Sequence, residues 1–329
     1  MAVGESKFTT IFQELLIQMF KRNKFNFIFL LTLIGIFATF AAAQNTITYV
    51  AANSGNDANT CIGNSPCQTI AKAMSVTVSG GRVVLTQNGS YEPVTVDRPL
   101  TIAAADGVHA TIVTDNVTNI GVSISGLLLS DVVTVKNLHF TGGLFSFGIY
   151  AAKGGVVNVD NCEFNGLMQG VTMDIGRGVY IHNSTFRNNG RGVLVTGGRG
   201  EVTKVVIDSS TFESNQFGAN FVNKVNAAIR NSTFSNHSTN GIAAKSNDIT
   251  LFGEMLIDNC QIFQNVIGVN VSIEGRGSEV ARLSRSTFTN NTSNAVYSGA
   301  ATTVYSMGDN VFAGNLVDVA GVLVPLAAK

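Results

Sequence analysis

A phrase that recurs about every 24 residues, apolar columns two residues apart within it, and Gly-opened strands too short to leave room for crossover helices predict one fold class. It is all-β: a right-handed parallel β-helix, a solenoid whose coils stack one on the next. Composition agrees. Of the 329 residues 45% are hydrophobic and only 13% charged, about half the usual charged share, so the chain buries a core and is neither disordered nor a coiled coil. Lys plus Arg equal Asp plus Glu at 21 each, so no field of one sign is available to attract nucleic acid, and nucleic acid is not expected as a partner.

The repeat carries the fold prediction. Its anchors are Phe140, Phe164, Phe186, Phe212, Phe234, Ile262, Phe288 and Phe312, and the clearest copies read VYIHNSTF, VVIDSSTF and AAIRNSTF. Five residues before each anchor stand Val135, Val159, Ile181, Ile207, Ile229, Ile257, Leu283 and Met307; seven before stand Val133, Val157, Val179, Val205, Ala227, Met255, Ala281 and Tyr305. Two columns with that spacing lie on one face of a β-strand. A further strand begins at the Gly of GVLV from Gly192, GANF from Gly218 and GVNV from Gly268. The alternation then slips, because the column Cys162, Ser184, Ser210, Ser232, Cys260 and Ser286 follows three residues after the last apolar one, and a corner must fill the gap. Asn137, Asn161, Asn183, Asn231 and Asn259 sit in that gap, with Ser209, Arg285 and Asp309 in the other copies. Asn tolerates the left-handed backbone that a tight bend demands. A second set, Asn189, Asn215, Asn265, Asn291 and Asn315, marks another corner, and stacked amides there can bond from copy to copy. No copy can bury its own short strands, so the copies stack in parallel about 4.8 Å apart. The β-helix is expected over residues 93–318, with a C-terminal tail over 319–329 that resembles neither a sorting signal nor a capping repeat.

Upstream, residues 25–40 read FNFIFLLTLIGIFATF, preceded by Lys21, Arg22 and Lys24 and followed by Ala41, Ala42 and Ala43. That order of cationic, apolar and small residues predicts a signal peptide over residues 1–43 with cleavage before Gln44; Met19, directly before FKRNK, is an alternative start. The apolar run is shorter than the roughly 20 residues of a membrane span, so membrane contact is expected only through an uncleaved leader. The expected location is secreted, periplasmic or cell-surface. In such a compartment Cys61 and Cys67, which bracket the loop CIGNSPC, should form a disulfide. Cys162 and Cys260 share one column four coils apart, about 19 Å, too far to be joined.

The columns, together with TYVAANSGNDANTC, PCQTIAKAM, SGGRVVL and SYEPVTVDRPLTI between residues 48 and 102, resemble the secreted bacterial right-handed β-helix repeat proteins of the pectin-lyase-like fold. The resemblance implies that residues 44–92 form an N-terminal cap and first coil. It also implies a short capping helix near residues 68–76 over the end of the stack, with Ile70, Ala73, Met74 and Val78 facing the core. The fold is that of pectate lyases, polygalacturonases and related polysaccharide enzymes, but the Asn-Thr-Asp, Asp-Asp, Gly-His-Gly and Arg-Ile-Lys segments of polygalacturonases do not occur here, nor does the Arg-x-Pro-x-x-Arg phrase of pectate lyases. No adjacent acidic pair exists after residue 43, so no calcium or other metal site is expected, and no cofactor.

Four His residues remain to be placed. His109 and His139 have no suggestive neighbours in the sequence, and His237 falls in the second Asn column. His182 lies in the column Lys136, Asp160, His182, Asp208, Arg230 and Asp258. Read one way, this is a solvated ladder of mostly alternating charge; read the other, Asp160, His182 and Asp208 are an acid/base site, which would need converging geometry and a cleft. Phe at fixed anchors reads as stacked core, and the Tyr residues form no sugar-binding stripe. The sequence therefore predicts an exported non-catalytic scaffold that binds a polysaccharide or a cell-surface component. A polysaccharide lyase, hydrolase or epimerase with a diverged site is the alternative.

Overall fold

The computed structural model describes residues 44–114, 119–198, 200, 202–247, 252–273 and 278–326; the leader expected over residues 1–43 lies outside the described residues. Three parallel sheets run the length of the stack. Among the described residues sheet 1 has 12 strands, from Asn45–Val50 to Leu323–Pro325; sheet 2 has ten short strands, from Gly89–Tyr91 to Val311–Ala313; sheet 3 has ten, from Val94–Val96 to Val317–Ala320. The chain visits them in the order 1, 2, 3 and returns to sheet 1 one coil further on, as in Val132–Lys136, Leu138–Thr141, Phe147–Ala151 and Gly154–Asp160.

The anchors face inward in sheet 2 and pair coil to coil in register, Phe140 with Phe164, Phe164 with Phe186, Phe186 with Phe212 and Phe212 with Phe234. Their rings are nearly parallel, with centroids 4.7, 4.7, 4.6 and 4.5 Å apart, so the aromatic spacing is set by the strand spacing. Ile262 interrupts the file and Phe288 and Phe312 resume it. In sheet 1 the two apolar columns line the same core, every member from Val133 to Leu283 being buried.

The first corner is a single left-handed residue in successive coils: Asn137, Asn161, Asn183, Ser209, Asn231, Asn259 and Arg285 have φ of 57, 51, 51, 51, 49, 51 and 47°. In the last copy the expectation fails by one residue. Val304 and Ser306 pair with Ala281 and Leu283 and are buried, where Tyr305 and Met307 were expected. The corner there holds an additional residue and turns at Gly308, so the anchor Phe312 keeps its place while the strand before it shifts. At the second corner the left-handed non-glycine residues are Asn188, Ser214, Asn236, Gln264 and Asn290, each one before a member of the second Asn set or, for Asn236, before His237 in the same column. That set points inward instead. Asn189, Asn215, Asn265 and Asn291 are buried, and each Nδ2 donates to a carbonyl one coil back, on Phe164, Phe186, Phe234 and Ile262, at 2.9 to 3.2 Å.

The N-terminal end is closed by the helix Ile70–Ser75, which packs Ile70, Ala73 and Met74 inward. Val78 is only half-buried. Thr77 takes the inward place, because the chain has already changed from helical to strand period, and its hydroxyl donates to the Ala73 carbonyl. Cys61 and Cys67 are joined, and their loop hydrogen-bonds the outer edge of the first strand at Tyr49 and Ala51. Cys162 and Cys260 are unpaired and buried. At the other end, Val317–Ala320 pairs with Asn294–Ser298 and Leu323–Pro325 with Thr302–Ser306, so most of the expected tail is a final partial coil. It lacks the anchor phrase, but the open strand edges of the preceding coil template it.

Two stability predictions follow from the stack. Phe212→Ala, at mid-file with a ring above and below, should cost about 3 to 5 kcal/mol in denaturant titration, and Phe312→Ala clearly less. His237 occupies the buried Asn column. Its Nδ1 accepts from the Asn215 N–H at 3.1 Å and its Nε2 has no partner. Burial pushes its pKa down to about 4, against the opposing effect of the Asn215 backbone. A histidine depressed below its unfolded value of about 6.5 contributes stability that is complete above that pH and lost as pH falls toward the folded value, by about 3 kcal/mol in all. His237→Asn should remove that part of the acid sensitivity, measured as the difference in unfolding free energy between pH 7 and pH 4.5 for the two proteins.

Candidate functional site

Among the described corners between sheets 1 and 2, the one over residues 105–109 is the longest. Where the coils from Asn137 to Arg285 turn on a single left-handed residue, the coil before Asn137 uses five, residues 105–109, between Leu100–Ala104 and Ala110–Val113. A turn closed by the Val108 N–H on the Ala105 carbonyl at 3.0 Å, with Gly107 at φ 77°, lets this loop stand out from the wall. The single-residue corners at Asn137, Asn161 and Asn183 lie beside it in turn, and the step between them is a cleft of about 680 Å³ that crosses four coils. Its lining includes Asp106, His109, Lys136, His139, Asp160, Glu163 and Thr185 as well as the three Asn. A smaller hollow of about 280 Å³ adjoins it across His109, His139 and Glu163.

Register explains which side chains meet there. Lys136 pairs with Asp160 in sheet 1, and His139 with Glu163 and then Thr185 in sheet 2. Lys136 Nζ lies 2.9 Å from Asp160 Oδ2, while Asn183 Nδ2 donates to Asp160 Oδ1 at 3.4 Å. His139 Nδ1 lies 3.1 Å from Glu163 Oε2, and Arg187 Nε 3.3 Å from Glu163 Oε1, the latter an ion pair too poorly aligned to be a hydrogen bond. The His109 and His139 rings are 5.5 Å apart. The corner amides form a ladder of their own, with Asn161 Nδ2 donating to Asn137 Oδ1 at 3.0 Å.

Of the three acid/base candidates only Asp160 lines the cleft. The column pairs in register from Lys136 through Asp160, His182, Asp208 and Arg230 to Asp258. Yet its carboxylates do not converge on the imidazole. Asp160 is held by Lys136 and Asn183, and His182 Nδ1 stands 4.0 Å from Asp208 Oδ2, with His182 43% exposed. Asp208 accepts instead from Asn231 Nδ2 at 2.8 Å. Further along, a hydrogen bond and the charge of Arg285 hold the Asp258 carboxyl below its usual range, with burial opposing.

Reasoning from the sequence missed His109 and His139, because their neighbours come from other coils. The readable signal was the 24-residue spacing of His139 and Glu163, each one residue before an anchor. Glu279 was missed too: its carboxyl is buried, its pKa is pushed up to about 8 by burial, and its Oε1 has no partner. Gly253 pairs with it one coil earlier, and a Cβ there would stand 2.3 Å from Glu279 Oε2, so the glycine makes its room. Among the described residues no group of three or more His, Cys, Asp or Glu is arranged to hold a metal ion.

Residues 121–271 match the family model described as the right handed beta helix region. The chain is a right-handed parallel β-helix of the pectin-lyase-like fold. No curated protein matches the sequence. Among solved structures, this β-helix is similar to a rhamnogalacturonan lyase, at 13% identity over 79% of this chain and 81% of the other, with a TM-score of 0.59. It is also similar to XylC, solved in complex with xylose, at 9% identity over 78% and 68% of the two chains, with a TM-score of 0.57. At such identities the likeness establishes the backbone path alone.

The exposed ladder yields a prediction. Asp160→Asn and Asp208→Asn should each change stability by less than about 1 kcal/mol, and by less still in high salt. Denaturant titrations at two salt concentrations measure this, and a large salt-independent loss would contradict the ladder.

Proposed function

We propose that this protein is an exported, non-catalytic β-helix scaffold that binds a polysaccharide in the corner cleft. The observation that carries the reading is the cleft itself, an extended depression along the stack lined by amides, carboxylates and imidazoles on rigid strands and one-residue corners. Such groups hydrogen-bond sugar hydroxyls, and a site whose side chains are already fixed loses little freedom on binding. Lys136 is paired with Asp160 and Arg187 with Glu163, which favours holding a ligand over attacking it. Export rests on the leader sequence.

A second reading has its own observation. His139, held at 3.1 Å by Glu163 and flanked by His109, is a carboxylate-oriented imidazole on the cleft wall, the arrangement of a general base. A lyase, hydrolase or epimerase would use it. The test is one preparation of the protein from Gln44 onward, incubated with a panel of acidic and neutral polysaccharides. Retardation in affinity gels and release of shortened chains are followed together. The expected result is retardation by at least one polymer, weakened in His139→Ala, with the polymer intact. Chain cleavage that falls about 100-fold or more in folded His139→Ala would replace the scaffold with the enzyme.

A further inference from the structure

We infer that the glycan taken by the corner cleft is uncharged, not a polyuronate; the inference rests on the polysaccharide-binding reading above. Among the described residues three carboxylates line the cleft, on Asp106, Asp160 and Glu163, against the single ammonium of Lys136. Counting Arg187, which reaches Glu163 from the next coil, the carboxylates still outnumber the fixed cations three to two. Both cations are already engaged, at 2.9 Å on Asp160 and 3.3 Å on Glu163. A polymer with a carboxylate on each sugar would have to take these cations from their partners, leaving Asp160 and Glu163 uncompensated and facing the ligand's own negative charge. Like charges brought together in this way select against the wrong partner.

The hydrogen-bonding capacity left in the cleft points the same way. Asn161 and Asn183 spend Nδ2 hydrogens on Asn137 and Asp160, so their Oδ1 atoms are left to accept. Asp160 and Glu163 each have one oxygen on a cation and lone pairs remaining on both. The cleft thus offers carboxylate and amide oxygens as acceptors and keeps N–H donors on Lys136, Arg187 and the Asn amides. Sugar hydroxyls, which both donate and accept, can meet this mixture without separating Lys136 from Asp160 or Arg187 from Glu163, whereas a carboxylate competes for those cations. The corners at Asn137, Asn161 and Asn183 repeat at the strand spacing of about 4.8 Å, so one amide is offered at each of these coils along the cleft.

The experiment is affinity electrophoresis of the protein from Gln44 onward at pH 7.5 and low salt, against four probes. They are a neutral xylan, a neutral glucan, polygalacturonate and partly deacetylated chitin. The expected result is retardation by at least one neutral polymer, changed less than twofold by added salt, with polygalacturonate at least tenfold weaker. In the variant Asp160→Asn/Glu163→Gln, checked for fold by circular dichroism, the cations are released and polygalacturonate binding should rise at least tenfold and become salt-sensitive. Polygalacturonate or the cationic chitin derivative binding tenfold or more tightly than either neutral polymer would overturn the inference while leaving the polysaccharide reading in place. Retardation by none of the four would overturn both.

Discussion

Main-chain hydrogen bonds between successive coils hold Phe140, Phe164, Phe186, Phe212 and Phe234 in one file, and every other column of side chains inherits its place from that register. Because the strands are parallel and in register, a residue has the same kind of neighbour above and below. One aromatic therefore calls for another, and a buried amide for an acceptor on the next coil. The Ser184, Ser210 and Asn215 columns satisfy buried N–H groups this way, with the Cys162, Ser184 and Asn189 amides donating to them at 3.2, 3.2 and 2.9 Å. A buried polar group in such a stack is cheap only when its neighbours repeat it. His237 is the exception within the amide file, and its partnerless Nε2 is the result.

The cleft arises from a difference between coils and not from any one residue. A regular solenoid has ridged but shallow sides. Here the five-residue corner at 105–109 stands against one-residue corners that follow it, and the height difference makes the depression. Strand register then brings Lys136 to Asp160 and His139 to Glu163 without any special backbone. The core specifies the positions and the exposed faces carry the chemistry, so the groups in the cleft can change without cost to the file beneath.

How much of this was readable follows from what each feature depends on. The Phe file, the left-handed Asn137, Asn161 and Asn183 corners, the Cys61 to Cys67 bridge and the buried Cys162 and Cys260 depend on spacing within one period, and spacing is what a sequence displays. The shift to Val304 and Ser306 was hidden because the additional corner residue left the anchor interval unchanged. The His109 to His139 contact depends on a loop in a coil that precedes the first anchor, where no column yet existed to count from. Glu279 depends on the missing side chain of Gly253, a coil away, and that relation becomes visible only once register is known. The final strands were missed because a strand templated by an open edge needs no strong pattern of its own.

The register that fixes the file also fixes the grammar of length change in this chain. Excising the 26 residues from Arg187 to Phe212 would set the Phe186 ring against Phe234, Ser184 against Ser232 and Asn183 against Asn231, each an acceptable neighbour. Removing one residue inside a strand would instead turn every later inward side chain of that strand outward. Insertions and deletions are therefore tolerated as whole coils or within corners. The corner at residues 105–109, unlike the strands it joins, is where the surface can change shape without rewriting the stack.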